Sequence, residues 1–336
     1  MTASAICARF ALLAAFFVLA SPAVAQERSA AARMPATTIM SPPEWAYAVN
    51  LADLNSGADD GTTQRVPDSS VGHTLSQLRD RFFAPDWHPA DHPLMPDVVA
   101  RGRKPNVIAC GFCHRADGPG GPETSSLAGL SADYIVKQLA DYKSGVRKSS
   151  VPERAQVQLM IALAGAVTEA EAREAAEYFA ELKPKANIKV VETDTVPKTY
   201  VAGWSLVAMR NGETEPIGQR IIELPEIPER FNNRDSRARF IAFVPIGSIA
   251  RGEALAKSGG AGKTVACAIC HGAELRGGGP VPGIAGRSPS YVVRQLYDFK
   301  SGAWAGIGGV QMKPAVEKLE AEDMVSLAAY LASLVP

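Results

Sequence analysis

Apolar residues recur along this chain at two different periods, and the period changes in mid-chain. Toward the C-terminus, EAEDMVSLAAYLASL puts Leu327, Leu331 and Leu334 at spacings of four and three, the stripe that an amphipathic helix buries. RGEALAKSG and YVVRQLYDFKSG upstream of it read as helices too. EAEAREAAEYFAEL is another; Thr168 precedes it and Glu171 follows three residues later, a capping box that predicts the helix start. Between Pro184 and Pro245 the apolar runs shorten to YVAGWSLVAM, QRIIEL and ARFIAFV among prolines and charges. These predict strands, with an Asn211-Gly212 turn between the first two. Residues 26–94 follow neither period and hold Pro-rich stretches, the run GADDGTTQ and one short helical segment, TLSQLRDRFF.

Much of the helical pattern occurs twice. An offset of 157 positions lays CGFCH at Cys110 on CAICH at Cys267, and LAGLSADYIVKQLADYKSG on IAGRSPSYVVRQLYDFKSG. Further along, AAEYFAEL and LAAYLASL align at an offset of 152, so five extra residues lie in the first copy between these blocks. The second offset also lays Met160 on Met312. Two copies of one helical module, joined by a β-containing connector, are therefore expected.

Composition leaves this picture in place. With 336 residues, 46% hydrophobic and 21% charged, the chain has the profile of a soluble two-domain protein. The first 25 residues carry a single charge, Arg9, then FALLAAFFVLA and the small-residue site Ala23-Val24-Ala25. This predicts a cleaved secretory signal peptide, its apolar run being shorter than the ~20 residues of a spanning helix. Cleavage removes Cys7 and leaves 34 basic against 35 acidic residues. No global field then favours nucleic acid, and no transmembrane segment remains in the mature chain, though peripheral membrane association stays open.

The four remaining cysteines all lie in the two Cys-x-x-Cys pairs, and a His follows each pair directly. Structural zinc needs four converging ligands, which would force the two copies to share one ion. A thioredoxin-like dithiol belongs in a βαβ setting, and the surroundings here are helical. Cys-x-x-Cys-His is the attachment signature of c-type haem, and positions i, i+3 and i+4 lie on one side of a helical turn. Two thiols can then bond the haem vinyl carbons while the imidazole meets iron. Covalent haem at Cys110 and Cys113 with His114, and at Cys267 and Cys270 with His271, is the favoured reading. Met160 and Met312 are the candidate second axial ligands because they are shared between copies, whereas Met324 and Met95 have Ala172 and Gly252 as counterparts. His/Met ligation fills both axial positions and favours electron transfer over chemistry at iron.

These motifs resemble the class I cytochromes c, and their doubling is similar to the two-haem cytochrome c4 type, over roughly residues 95–183 and 250–336. In that family a Pro carbonyl over the proximal His accepts the imidazole hydrogen bond. Pro282-Gly283-Ile284-Ala285-Gly286 looks like this motif, and the first copy reads Ser125-Ser126-Leu127-Ala128-Gly129. Met312-Lys313-Pro314 looks like the family's methionine loop, while Met160 is followed by Ile161-Ala162.

The resulting expectation is a mainly all-α fold: signal peptide 1–25, N-terminal extension 26–94, first cytochrome c domain 95–183, connector with short strands 184–249 and second cytochrome c domain 250–336. The resemblance implies a periplasmic dihaem electron carrier with two covalently bound haem c groups. Its partners would be redox proteins such as a dehydrogenase, an oxidase or another cytochrome, and it could serve as the cytochrome subunit of a dehydrogenase. The alternative is a dihaem redox enzyme, a peroxidase or sulfur-compound dehydrogenase, working at the first haem. His73, His88 and His92 are weak ligand candidates because Pro89 and Pro93 break the segment. Trp87, Trp204 and Trp304 are expected in cores. Arg101, Arg103, Lys104, Lys143, Arg147 and Lys148 form a candidate cationic face for steering an acidic partner.

Overall fold

The computed structural model describes residues 41–47 and 59–336. The signal-peptide reading of residues 1–25, Cys7 included, lies outside the described residues, as does part of the N-terminal extension.

The extension forms a short antiparallel pair, β1 (Thr63–Gln64) with β2 (His73–Thr74), that runs into helix α1 (Leu75–Arg79). Thr74 and Gln77 cap α1 reciprocally. The extension is anchored by buried bonds: Trp87 donates its indole N–H to Asn233 O at 2.7 Å, and His88 Nε2 meets Asp235 Oδ1 at 3.0 Å.

Helices α2 (Asp97–Ala100), α3 (Cys110–His114), α4 (Ala132–Lys143), α5 (Ala155–Ala166) and α6 (Glu169–Glu181) follow. Both bonds of the Thr168–Glu171 capping box start α6, as its sequence predicts. Ala172, Ala175, Ala176 and Phe179 of α6 form a buried stripe in a core shared with Val99, Leu130 and Ile135.

Next come β3 (Ile188–Glu192), β4 (Thr195–Pro197), β5 (Thr199–Ala202), β6 (Ser205–Ala208), β7 (Thr214–Pro216), β8 (Ile222–Pro225), α7 (Pro228–Asn232) and β9 (Phe240–Val244). β9 is the middle strand of a three-stranded sheet, parallel to β3 and antiparallel to β8. β4 pairs with β7 and β5 with β6, both antiparallel. YVAGWSLVAM is therefore two strands rather than one: Gly203, at φ 59°, reverses the chain between Ala202 and Ser205. With these strands between helical segments, the chain as a whole is mixed rather than all-α.

Helices α8 (Ser248–Ser258), α9 (Ala268–His271), α10 (Pro289–Ser301), α11 (Ile307–Val316) and α12 (Ala321–Ser333) complete the chain. From Asp323 to Ala332 every residue of α12 is buried, as expected of a helix enclosed on all sides. It crosses α8 at Gly252, where a Cβ would lie 2.0 Å from Ser326 O.

The copies meet symmetrically along a short antiparallel contact. Lys148 N donates to Ala303 O at 2.9 Å and Ala305 N to Val146 O at 2.6 Å, two bonds that exchange under the 157-residue offset. Arg147 and Trp304, equivalent positions, face each other in this bridge. Each also donates its own N–H to the preceding helix, Arg147 N to Asp141 O at 3.0 Å and Trp304 N to Asp298 O at 3.1 Å. This is the self-complementary pattern of a twofold contact, formed within one chain.

Candidate haem sites

Both Cys-x-x-Cys-His segments coil into a single helical turn, α3 and α9. Each histidine then makes the same bond: His114 Nδ1 lies 2.9 Å from Ser125 O, and His271 Nδ1 lies 2.8 Å from Pro282 O. A carbonyl only accepts, so Nδ1 carries the proton and Nε2 of a neutral ring keeps its lone pair for a metal. Burial pushes both imidazoles below the usual histidine range, although the carbonyl bonds oppose the shift. The neutral, ligand-competent form is thereby favoured. Ser125 thus supplies the same acceptor as Pro282, because the bond uses backbone rather than side chain.

Burial acts on the thiols in the opposite sense. Cys110 is pushed up to about 12, with Cys113 close by adding to the shift, and burial also raises Cys113 and Cys267. A redox dithiol needs a depressed pKa and zinc needs thiolates, so these environments suit neither. Among the described residues no three His, Cys, Asp or Glu side chains converge as a metal site.

A cavity opens beside the first turn. Cys110, Cys113 and His114 line it together with Met160, under a largely apolar wall that includes Leu127, Leu130, Ile135, Leu139, Leu163 and Phe179. α4, α5 and α6 supply most of this wall. α10 of the other copy adds Tyr291, Arg294, Gln295 and Asp298, and the β5–β6 hairpin adds Trp204. Three buried polar atoms on the lining have no partner: Arg154 Nη1, Gln156 Oε1 and Trp204 Nε1. An apolar slot with unused polar groups fits haem c, which is a flat hydrophobic ring carrying carboxylates. Cys110, Cys113 and His114 would hold it, with Met160 on the same wall. Trp204 therefore belongs to this cavity and not to a core, unlike the buried Trp87 and Trp304.

At the second turn His271 is buried, Cys267 and Met312 pack against the core built on α8, α10 and α12, and Cys270 is exposed. Met160 and Met312 are each the sixth residue of their helices, α5 starting at Ala155 and α11 at Ile307. Met312 thus sits in a helix that continues through Pro314 rather than in a loop, and the two methionines are structurally equivalent.

The remaining candidates have local partners. His73 Nε2 lies 3.3 Å from Asp86 O, and His92 Nε2 lies 3.2 Å from Asp86 Oδ1. Arg101 pairs with Asp97, Arg103 with Glu171 at 2.7 Å, and Lys104 lies 4.0 Å from Asp80. Arg147 is buried. Of the expected cationic face, Arg101, Arg103 and Lys104 thus lie beside carboxylates and Arg147 is internal, while Lys143 and Lys148 are exposed.

The family described as Cytochrome c matches residues 249–335. A cytochrome c-554(547) of Halothiobacillus neapolitanus is 39% identical over 85 residues, 22% of this chain and 93% of that protein. Cytochrome c4 of Azotobacter vinelandii is 25% identical over 234 residues, 68% of this chain and 85% of the relative. A cytochrome subunit of sulfide dehydrogenase from Chlorobaculum tepidum is 32% identical over 97 residues, 29% of this chain and 81% of its own. The chain belongs to the cytochrome c family, whose cofactor is covalently bound haem c. Within that family it is cytochrome c4-like, since the likeness to cytochrome c4 extends well beyond the length of one repeat.

Proposed function

We propose that this chain is an exported, periplasmic dihaem c-type cytochrome that passes single electrons between redox proteins. Its two haem domains span 95–183 and 250–336, with the described parts of the extension, residues 41–47 and 59–94, and the connector 184–249 packed around them. Cys110 and Cys113 attach one haem, with His114 and Met160 as axial ligands. Cys267 and Cys270 attach the other, with His271 and Met312. The observation that carries this reading is the pair of matching imidazole bonds to Ser125 O and Pro282 O, at 2.9 and 2.8 Å. They orient two histidines alike, at equivalent positions of two cysteine turns.

When bound, haem c supplies a one-electron iron couple. The chain's own residues fix the imidazole tautomer, exclude water with the α4, α5 and α6 wall, and present Met160 and Met312 from equivalent helices. That equivalence favours a carrier over an enzyme with an open first iron. The sulfide dehydrogenase cytochrome subunit among the relatives supports a second role, as the electron-accepting subunit of a dehydrogenase. Export is supported by the 1–25 segment, and no helix among the described residues is long and apolar enough to cross a membrane.

Haem counting tests the proposal. Protein made with a haem-attachment system is expected to carry two haems per chain by mass and by alkaline pyridine absorbance. Replacing Cys110 and Cys113 by Ser, or Cys267 and Cys270 by Ser, should leave one. A wild-type count of one or none overturns the dihaem reading.

A further inference from the structure

Arg147 is a buried cation whose direct partners are all neutral. Its guanidinium donates to Gln138 Oε1 and Gln295 Oε1, each at 2.9 Å, and approaches the Tyr291 hydroxyl at 3.4 Å. Gln138 and Gln295 are themselves equivalent under the 157-residue offset, so the side chain spans both copies evenly. The guanidinium carbon lies 3.7 Å from the centre of the Trp304 ring and 4.6 Å from that of Tyr142. Among the described residues no carboxylate is in ion-pair contact with it; the buried Asp298 on the same wall feels its charge at longer range and accepts instead from the Ser150 N–H at 2.7 Å. The other arginines on the cavity differ: Arg154 meets Glu123 at 2.7 Å, Arg294 approaches it at 3.8 Å, and Arg287 is only half-buried.

Arg147 lines the first cavity and reaches the second copy through Trp304. Arg147 and Tyr142 both line the cavity that holds Cys110, His114 and Met160. On the other side Trp304 stacks on Phe299, with ring centres 4.4 Å apart and planes 20° apart. Phe299 packs on the core that also takes Cys267 and Met312. At the equivalent position the second copy has Trp304, so one cation stands where a symmetric pair would have two or none.

We infer that Arg147 is a common electrostatic control for both redox centres, a fixed positive charge near the twofold contact that raises both reduction potentials. This rests on the dihaem reading. A buried charge with neutral partners is screened little, and its field reaches across the contact in both directions. Reduction removes one positive charge from a haem, so a nearby cation favours the ferrous state. Aromatic faces and amide oxygens hold the guanidinium without cancelling its charge, since cation–π contact and neutral hydrogen bonds leave the net charge intact.

Potentiometric titration of the holoprotein, followed by its spectra, tests this. Arg147→Met keeps the packing between Tyr142 and Trp304 without the charge, Arg147→Gln keeps polarity, and Arg147→Lys keeps charge. Each variant is first checked for two haems per chain, so a failure of the dihaem reading shows there and not in the potentials. Both midpoint potentials are expected to fall in the Met and Gln variants, with Lys staying near wild type. A fall at one haem only, no fall at either, or an equal fall in the Lys variant overturns the inference. If the neutral variants do not assemble, Lys alone decides: potentials displaced as far as those of a Trp304→Leu packing variant would show a steric role.

Discussion

The two copies keep the same chemistry and differ in what encloses it. In the second, an eleven-residue helix, α8, crosses α12 so closely that only Gly252 fits the contact. The corresponding first-copy helix, α2, has four residues, and Met95 occupies the position of Gly252. What the first copy lacks in its own helices is supplied from outside: α10 and Trp204 help wall its cavity, and the extension packs behind its cysteine turn, with Ala109 N bonding Arg81 O at 3.0 Å. The second copy instead leaves Cys270, Ile269 and Ile307 exposed. The two copies therefore share the candidate ligand positions, which iron chemistry would constrain tightly, and differ in the surrounding packing.

The strongest way to break this comparison is at the methionines. Met160→Ala and Met312→Ala should each remove about half of the weak far-red absorption of Met-ligated ferric haem and lower one potential, as loss of a Met ligand does. If Met160→Ala leaves the band intact, the copies differ in ligation and not merely in enclosure. A smaller effect is expected at the helix crossing. Gly252→Ala forces its Cβ against the Ser326 carbonyl and should cost about 1–3 kcal/mol by overpacking, measured by denaturant unfolding of the holoprotein. Broadening of the second haem's spectrum before the first would sharpen the contrast.

The smallest effect belongs to the caps. α6 begins with Thr168 and Glu171, and α12 at equivalent positions with Glu320 and Asp323. Thr168→Ala should cost ~1 kcal/mol. Arg103 and the Thr168 bonds hold Glu171 down at about 2, from an ordinary 4.5. A depressed carboxylate contributes stability above its unfolded pKa and loses it as pH falls through the folded value. Wild type should therefore lose this contribution between roughly pH 4.5 and 2, and Thr168→Ala should flatten that part of the melting curve against pH.

The candidate ligand set stood out because cysteine turns, histidines and methionines repeat in register, and the α6 start was legible from one local capping box. Local signals of this kind survive without knowledge of the fold. The YVAGWSLVAM hairpin was missed because its apolar run masks the turn at Gly203, and the sign that could have revealed it was that glycine inside a strand pattern. The role of Trp204 and the cross-copy wall depend on contacts between distant segments, for which periodicity holds no information. Arg147 is intermediate: alignment places it opposite Trp304, but reading it as a surface charge overlooked that equivalent positions in a duplicated chain can meet each other.

The borrowed wall of the first cavity sets an order of assembly. α10 begins at Pro289 and the first cysteine turn at Cys110, so a chain emerging from its N-terminus presents that turn long before the residues that close the cavity exist in folded form. The first site is thus the earliest to appear, yet it is finished only once α10 of the other copy has emerged. Until the C-terminal half arrives, the first turn stays open to whatever machinery loads it.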